Sequence, residues 1–135
     1  MALRTLLDSD VLSALMRQET KVVDRARSYL EACPQLSFSL ITQYEILRGL
    51  KAKNASAQLE SFQRFCATCQ VLPVSHDIVG RASDIYAALH RGGGIIGDAD
   101  ILIAATAITY DLVLATNNEA HFARIAGLKI DNWLA

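Results

Sequence analysis

Nowhere in these 135 residues does an apolar run reach the roughly 20 positions that cross a bilayer, and the N-terminus lacks the charged and apolar regions of a secretion signal. The expected location is the cytoplasm, with no membrane partner. Charge of one sign is missing too: 13 Lys and Arg against 14 Asp and Glu leave a formal net charge of -1. No global field therefore draws the chain onto nucleic acid, and such a partner needs a local basic patch or bound metal. Cysteine is scarce and odd in number, three residues, which argues against a disulfide framework. Cys66 and Cys69 match C-x-x-C, but the pair closes a helix instead of opening one, where a thiolate would be stabilised. Cys33 alone supplies no second pair for zinc, so all three are expected to be small buried hydrophobes. Internal repeats, low-complexity segments and interdomain linkers are absent as well. What remains is a 52% hydrophobic chain, enough for one domain spanning residues 1–135 with one substantial core.

The organising stretch is Thr5-Leu6-Leu7-Asp8-Ser9-Asp10. Leu3, Leu6 and Leu7 make a short apolar run that ends in two acids, and Val11, Leu12, Leu15 and Met16 then take up helical spacing. That pattern is strand, acidic turn, helix. Asp10 is expected to cap the helix beginning at Val11. Capping leaves Asp8 unexplained, and the carboxyl end of a buried parallel strand is where open α/β sheets bind their ligands.

Other acids should then arrive at the same edge. An amphipathic helix over residues 21–32 stops before Pro34, and Leu36-Ser37-Phe38-Ser39 forms a second short strand. Ile41, Tyr44, Leu47 and Leu50 follow at helical spacing with Glu45 among them; Gly49 there marks a bend or a close backbone approach. Glu45 has two readings. Thr42-Gln43-Tyr44-Glu45 fits a capping box, whereas a cap at Ser39 frees Glu45 to reach toward Asp8. Residues 55–69 form the second arm of a projecting helical hairpin with its loop near Lys53-Asn54. The cations Arg48, Lys51, Lys53 and Arg64 gather around it, with a solvated face as the ordinary explanation and a phosphate-contacting rim as the functional one.

Residues 71–74 read as a third strand, kept at the sheet edge by Pro73. Ser75 caps the next helix. Gly92-Gly93-Gly94 lacks the Lys-Ser/Thr of a phosphate-binding loop. From Asp100 to Ala107 the chain is apolar nearly all round, a helix for the middle of the protein, with Asp98 as its expected cap and Asp100 in its first turn. A second acid on so buried a helix is costly unless something positive neutralises it. Leu112-Val113-Leu114-Ala115-Thr116 is a further strand ending in a polar turn, where Asn118 is expected to cap a helix over residues 119–125. Leu128-Lys129-Ile130 closes the sheet as an edge strand.

Alternation of strand and helix throughout implies an α/β fold: a central parallel sheet of four to five strands, helices on both faces, three layers in all. In that layout Asp8, Glu45, Asp100 and the turn 117–119 converge on one edge. Carboxylates meeting without a cation repel, and Mg²⁺ or Mn²⁺ is the natural occupant of an all-oxygen site.

Four motifs in this order resemble the PIN-domain ribonucleases, most closely the VapC toxins of bacterial toxin-antitoxin modules. They are Leu7-Asp8-Ser9-Asp10; Thr42 through Ile46 with Gly49; Asp100 through Ala107; and Thr116-Asn117-Asn118 through Phe122 with Gly127-Leu128 and Asn132-Trp133. The resemblance implies a Mg²⁺-dependent endoribonuclease, the toxin of a type II pair, with Asp8 and Asp100 as metal ligands and Glu45 as the mid-chain acid. It also implies hydrolysis to a 5′-phosphate and a 3′-hydroxyl, with transfer or ribosomal RNA as frequent targets. A homodimer is implied, silenced in a larger complex by a VapB-like antitoxin whose C-terminal segment threads into the active-site groove. Two departures stand out. Asp10 occupies a place where the family usually has Asn, and the fourth acidic position holds Asn117 and Asn118, with Glu119 and His121 close by. Asn118 is therefore the candidate fourth catalytic position, with Ser9, Asp98, Thr116, Asn117 and Glu119 as auxiliary ones. Arg48, Lys51, Lys53, Arg64 and Arg91 are the candidate RNA contacts. Two rivals are a catalytically silent PIN-like RNA-binding module and a receiver-type phosphoacceptor domain. The latter needs an Asp at the end of the third strand, where Pro73-Val74-Ser75 stands, and a Lys after the fifth, whereas Lys129 precedes Ile130.

Overall fold

Leu6 and Leu7 point to opposite sides of strand β1 (Thr5–Leu7), and both are fully buried, so β1 must have helices on both faces. The computed structural model describes residues 4–135; Leu3, the first residue of the expected apolar run, lies outside them. In chain order the elements are β1, α1 (Ser9–Met16), α2 (Thr20–Ala32), β2 (Ser37–Ser39), α3 (Leu40–Ala52), α4 (Ser56–Cys66), β3 (Gln70–Leu72), α5 (His76–Arg91), α6 (Asp98–Thr109), β4 (Val113–Ala115), α7 (Glu119–Phe122) and β5 (Ile130–Asp131). The five strands form one sheet in the order β3-β2-β1-β4-β5, with every neighbouring pair parallel. The α/β class and the edge positions of the third and last strands follow the sequence reading.

The apolar residues form two clusters separated by the sheet, where the sequence pointed to one core. Leu6 and Leu114 face α5, α6 and α7 through Ile78, Ile103 and Phe122. Leu7, Phe38 and Ala115 face α1, α2 and α4 through Leu12, Val22, Phe62 and Trp133. Each fully buried Leu, Ile or Phe contributes about 1.5–3 kcal/mol. Helix α6 is buried from Ile101 to Ala107 apart from the half-buried Leu102, as its composition requires, and Thr106 satisfies its hydroxyl on the Leu102 carbonyl at 2.7 Å. The α3–α4 hairpin turns at Asn54, whose φ of 53° is left-handed.

Several helix starts differ from expectation. Asp8 is the N-cap of α1, its carboxylate accepting the Ser9 N–H, and Asp10 lies in the first turn. The chain passes from strand to helix with only Asp8 between them, so the cap falls two residues earlier than the apolar spacing suggested. Ser39 caps α3 through the Ile41 N–H, which removes the capping box. Thr42 is instead buried with its hydroxyl unpartnered among the described residues. Gly97, not Asp98, is the N-cap residue of α6, and Asp98 is an exposed first-turn acid. Asn118 holds the N-cap position of α7 without a side-chain cap bond, and that helix ends at Phe122. A Cβ at Gly49 would meet nothing within 4 Å, so no close backbone approach requires glycine there. The three cysteines are half-buried and pack on the α1/α2 side of the sheet.

Candidate active site

With β1 feeding β2 on one side and β4 returning on the other, the strand order reverses between β1 and β4. The crevice beyond their carboxyl ends is where such sheets bind ligands. Asp8 follows β1 and Thr116 follows β4, and the Asp8 N–H binds the Ala115 carbonyl at 2.9 Å. Asp8 is 5% exposed. One carboxylate oxygen accepts the Ser9 N–H at 2.8 Å and the other accepts the Thr116 hydroxyl at 2.8 Å. Burial pushes its pKa up from the ordinary 3.8 to about 7, the Asp10 and Asp100 charges push the same way, and the Thr116 and Ser9 hydrogen bonds oppose them.

Asp10 turns to the same place. It accepts the Val11 N–H at 2.7 Å and the Asn117 N–H at 3.0 Å, which ties the β4–α7 turn to α1. Burial raises its pKa, the Asn117 and Val11 hydrogen bonds lower it, and the Asp100 charge raises it. Glu45 arrives from α3 and accepts the Ser9 hydroxyl at 2.5 Å, with the Arg48 guanidinium 3.8 Å away. Asp100 is bound by His121 Nε2 at 2.9 Å.

Asp8, Asp10 and Asp100 are thus within range of one another's charge, and Glu45 joins them through Ser9. Asn117 and Glu119 belong to an adjoining network, both accepting from the Asn132 side chain at 3.1 and 3.0 Å. Asn118 donates its N–H to Thr116 at 3.0 Å while its exposed side chain makes no cap bond. Among the described residues no three His, Cys, Asp or Glu side chains converge as a ready-made ligand set. The donor chemistry nevertheless fits a hard divalent ion: the acids are oxygen donors, and burial first, then the Asp10 and Asp100 charges, penalise the Asp8 carboxylate in a way that a cation would relieve.

An open groove of about 570 Å³ runs from the site between α1, α3 and α4, lined by Ser9 and Glu45 at one end and by Arg17, Gly49, Lys53, Gln58 and Phe62 among others. Lys53 is the candidate RNA contact that lines it; Arg48, Lys51 and Arg64 are exposed on the same hairpin. Arg91 ends α5, whose core residues pack in the other cluster. Sequence reasoning missed Arg17 as a groove cation and His121 as the partner of Asp100. The second had a signal: a titratable residue one turn into the helix that follows the polar end of a strand.

The sequence model of the PIN domain matches residues 5–128. The chain belongs to the PIN-domain family. Within it the chain is a member of the VapC ribonuclease group: Ribonuclease VapC10 of Mycobacterium tuberculosis is 36% identical over 124 residues, 92% of this chain and 90% of that one. The VapBC complex of Salmonella typhimurium, solved bound to DNA, superposes with a TM-score of 0.86 at 26% identity, covering 98% of this chain and 99% of its counterpart. VapBC2 of Rickettsia felis, bound to a promoter DNA fragment, shares the fold at a TM-score of 0.89 and 22% identity, over 97% of this chain and 99% of that one. The PIN fold so identified is the expected one. Among the described residues no helix is long and apolar enough to cross a membrane.

Proposed function

We propose that this PIN-domain chain is a metal-dependent endoribonuclease, the toxin of a type II toxin-antitoxin pair, with Asp8, Glu45 and Asp100 as its catalytic acids. The observation that supports it best is the placement of Asp8. A buried carboxylate at the strand-order reversal, pressed by two other acids, sits where a divalent cation would be most stabilised. Asp8 and Asp100 would hold Mg²⁺, with Mn²⁺ as an alternative, and Glu45 would face the same ion or its water. When bound, such an ion supplies a nucleophilic water and stabilises the leaving oxygen of a phosphodiester.

The chain's own residues set up that chemistry. Thr116 and Ser9 fix both oxygens of Asp8, so that its lone pairs are presented in one orientation. Ser9 also positions Glu45. Asp10 anchors the turn carrying Asn117 and Asn118, the latter our candidate for the fourth position. Lys53 and Arg17 give the groove a positive lining for an RNA backbone, which holds the strand without reading its sequence. The same groove suits the C-terminal segment of an antitoxin, and the described VapBC complexes favour such a partner. A homodimer, a larger antitoxin-bound assembly and a cytoplasmic location complete the proposal.

Incubating the purified protein with an RNA pool, transfer and ribosomal RNA first, tests it. Cleavage in Mg²⁺, silence in EDTA and loss of at least about 100-fold in rate for Asp100→Asn are expected. RNA left intact in both Mg²⁺ and Mn²⁺ would make the chain a binding module, and full activity of Asp100→Asn would remove that residue from the mechanism.

A further inference from the structure

His121 is held in place from three directions. Its ring meets the fully buried Phe122 edge-on, centroids 5.4 Å apart at 89°. The turn leading into its helix is pinned by Asp10 at the Asn117 N–H and by Thr116 at the Asn118 N–H. Its Nε2 lies 2.9 Å from Asp100 Oδ2, with both side chains about one third exposed or less, at 27% and 30%. No other side chain bonds Asp100 among the described residues.

We propose that His121 is a positioning residue for the Asp100 carboxylate: Nε2–H donates to Oδ2 and orients the group so that Oδ1 is presented to the divalent ion. This rests on the metal-dependent reading above and deepens it. The chemistry favours a donor here over a further acid. Asp8 already carries the repulsion of Asp10 and Asp100, and a further carboxylate would add to it, whereas an imidazole orients Asp100 and adds no negative charge. Hydrogen-bonding partners of metal ligands fix ligand orientation, and removing one typically weakens metal binding about 10–100-fold.

The test is Mn²⁺ binding, followed by the electron paramagnetic resonance of free and bound ion, on wild type, H121A, H121N, H121Q and D100N, each checked for folding by its thermal melt. The Gln amide nitrogen lies close to the place of Nε2 and keeps a donor; Asn is too short to reach. H121A and H121N should bind Mn²⁺ about tenfold or more weakly, and H121Q should recover most of the loss. RNA turnover should fall through kcat, not KM. If H121A fails to fold, H121N and H121Q carry the comparison. Wild-type affinity in H121A or H121N would overturn the inference, and so would a Gln variant as weak as the Ala one. A directly coordinated nitrogen in the wild-type signal that disappears in H121N would also overturn it, by making His121 a ligand. Should wild type fail to bind Mn²⁺, or D100N bind it equally well, the underlying metal reading fails and not merely the role of His121.

Discussion

Asp8 caps a helix, and the proposed metal role asks it also to carry charge in a place where charge is expensive. Its carboxyl titrates near 7 when folded against 3.8 ordinarily, so between those values the folded chain holds a proton that the unfolded chain has released. The stability contributed by that proton is complete below about pH 4 and is lost as pH rises through 7. Asp10, raised by its own burial, adds in the same direction. Urea denaturation in EDTA should therefore show the wild type losing on the order of 2 kcal/mol between about pH 5 and pH 8, with Asp8→Asn keeping most of it while losing RNA cleavage. Equal wild-type stability at both pH values would contradict the burial of an ionised Asp8. Thr116→Val probes the same carboxylate from the other side. It removes the hydroxyl that donates to Asp8 and accepts from Asn118, and a cost of about 1–2 kcal/mol is expected by thermal unfolding. Cleavage in Mg²⁺ should fall with it, and a variant equal to wild type in both respects would show that the bond does nothing.

Helix α3 carries Glu45 and one wall of the groove, and at its Gly49 there is room to spare. A methyl group there meets nothing within 4 Å. Gly49→Ala should stabilise the helix by about 0.5–1 kcal/mol in denaturant titrations, and because Gly49 lines the groove, it should weaken any antitoxin segment bound there. A destabilised variant would mean that the glycine is needed for α3 itself. The elements were largely legible in the sequence because their signals are local: apolar runs of strand length, helical spacing, and polar residues at strand ends. Their caps were less so. Asp8, Ser39 and Gly97 each close a strand or loop and open a helix in one residue, and apolar periodicity does not resolve such a boundary. What the sequence hid altogether were long-range polar bonds. Thr116 to Asp8 spans 108 positions and His121 to Asp100 spans 21; the polar end of a strand marks Thr116 and His121 as residues of the site, but no local pattern names the acid that each one binds.

At the scale of the whole molecule, the sheet and the C-terminus lock each other. Trp133 is 2% exposed, its ring tilted against Tyr29 at 5.7 Å and covered by the Arg25 guanidinium, which also pairs with Asp131 at the end of β5. Trp133→Ala should cost about 3–5 kcal/mol by chemical denaturation, and a loss below about 1 kcal/mol would show that the C-terminal residues are not part of the core. The reversal of strand order and the burial of β1 on both faces set the ends of β1 and β4 beside one crevice, and the α/β alternation of the sequence was enough to foresee a sheet edge of that kind. It was not enough to foresee how the acids are held, because that depends on which hydrogen bonds survive once the carboxylates are buried. The most direct measurement is a crystal of the full chain soaked in MnCl₂, with diffraction data recorded near the manganese edge. An anomalous peak contacting Asp8 and Asp100 is the expected result; ordered carboxylates with no peak between them, or a peak bound only elsewhere, would contradict the shared-cation account.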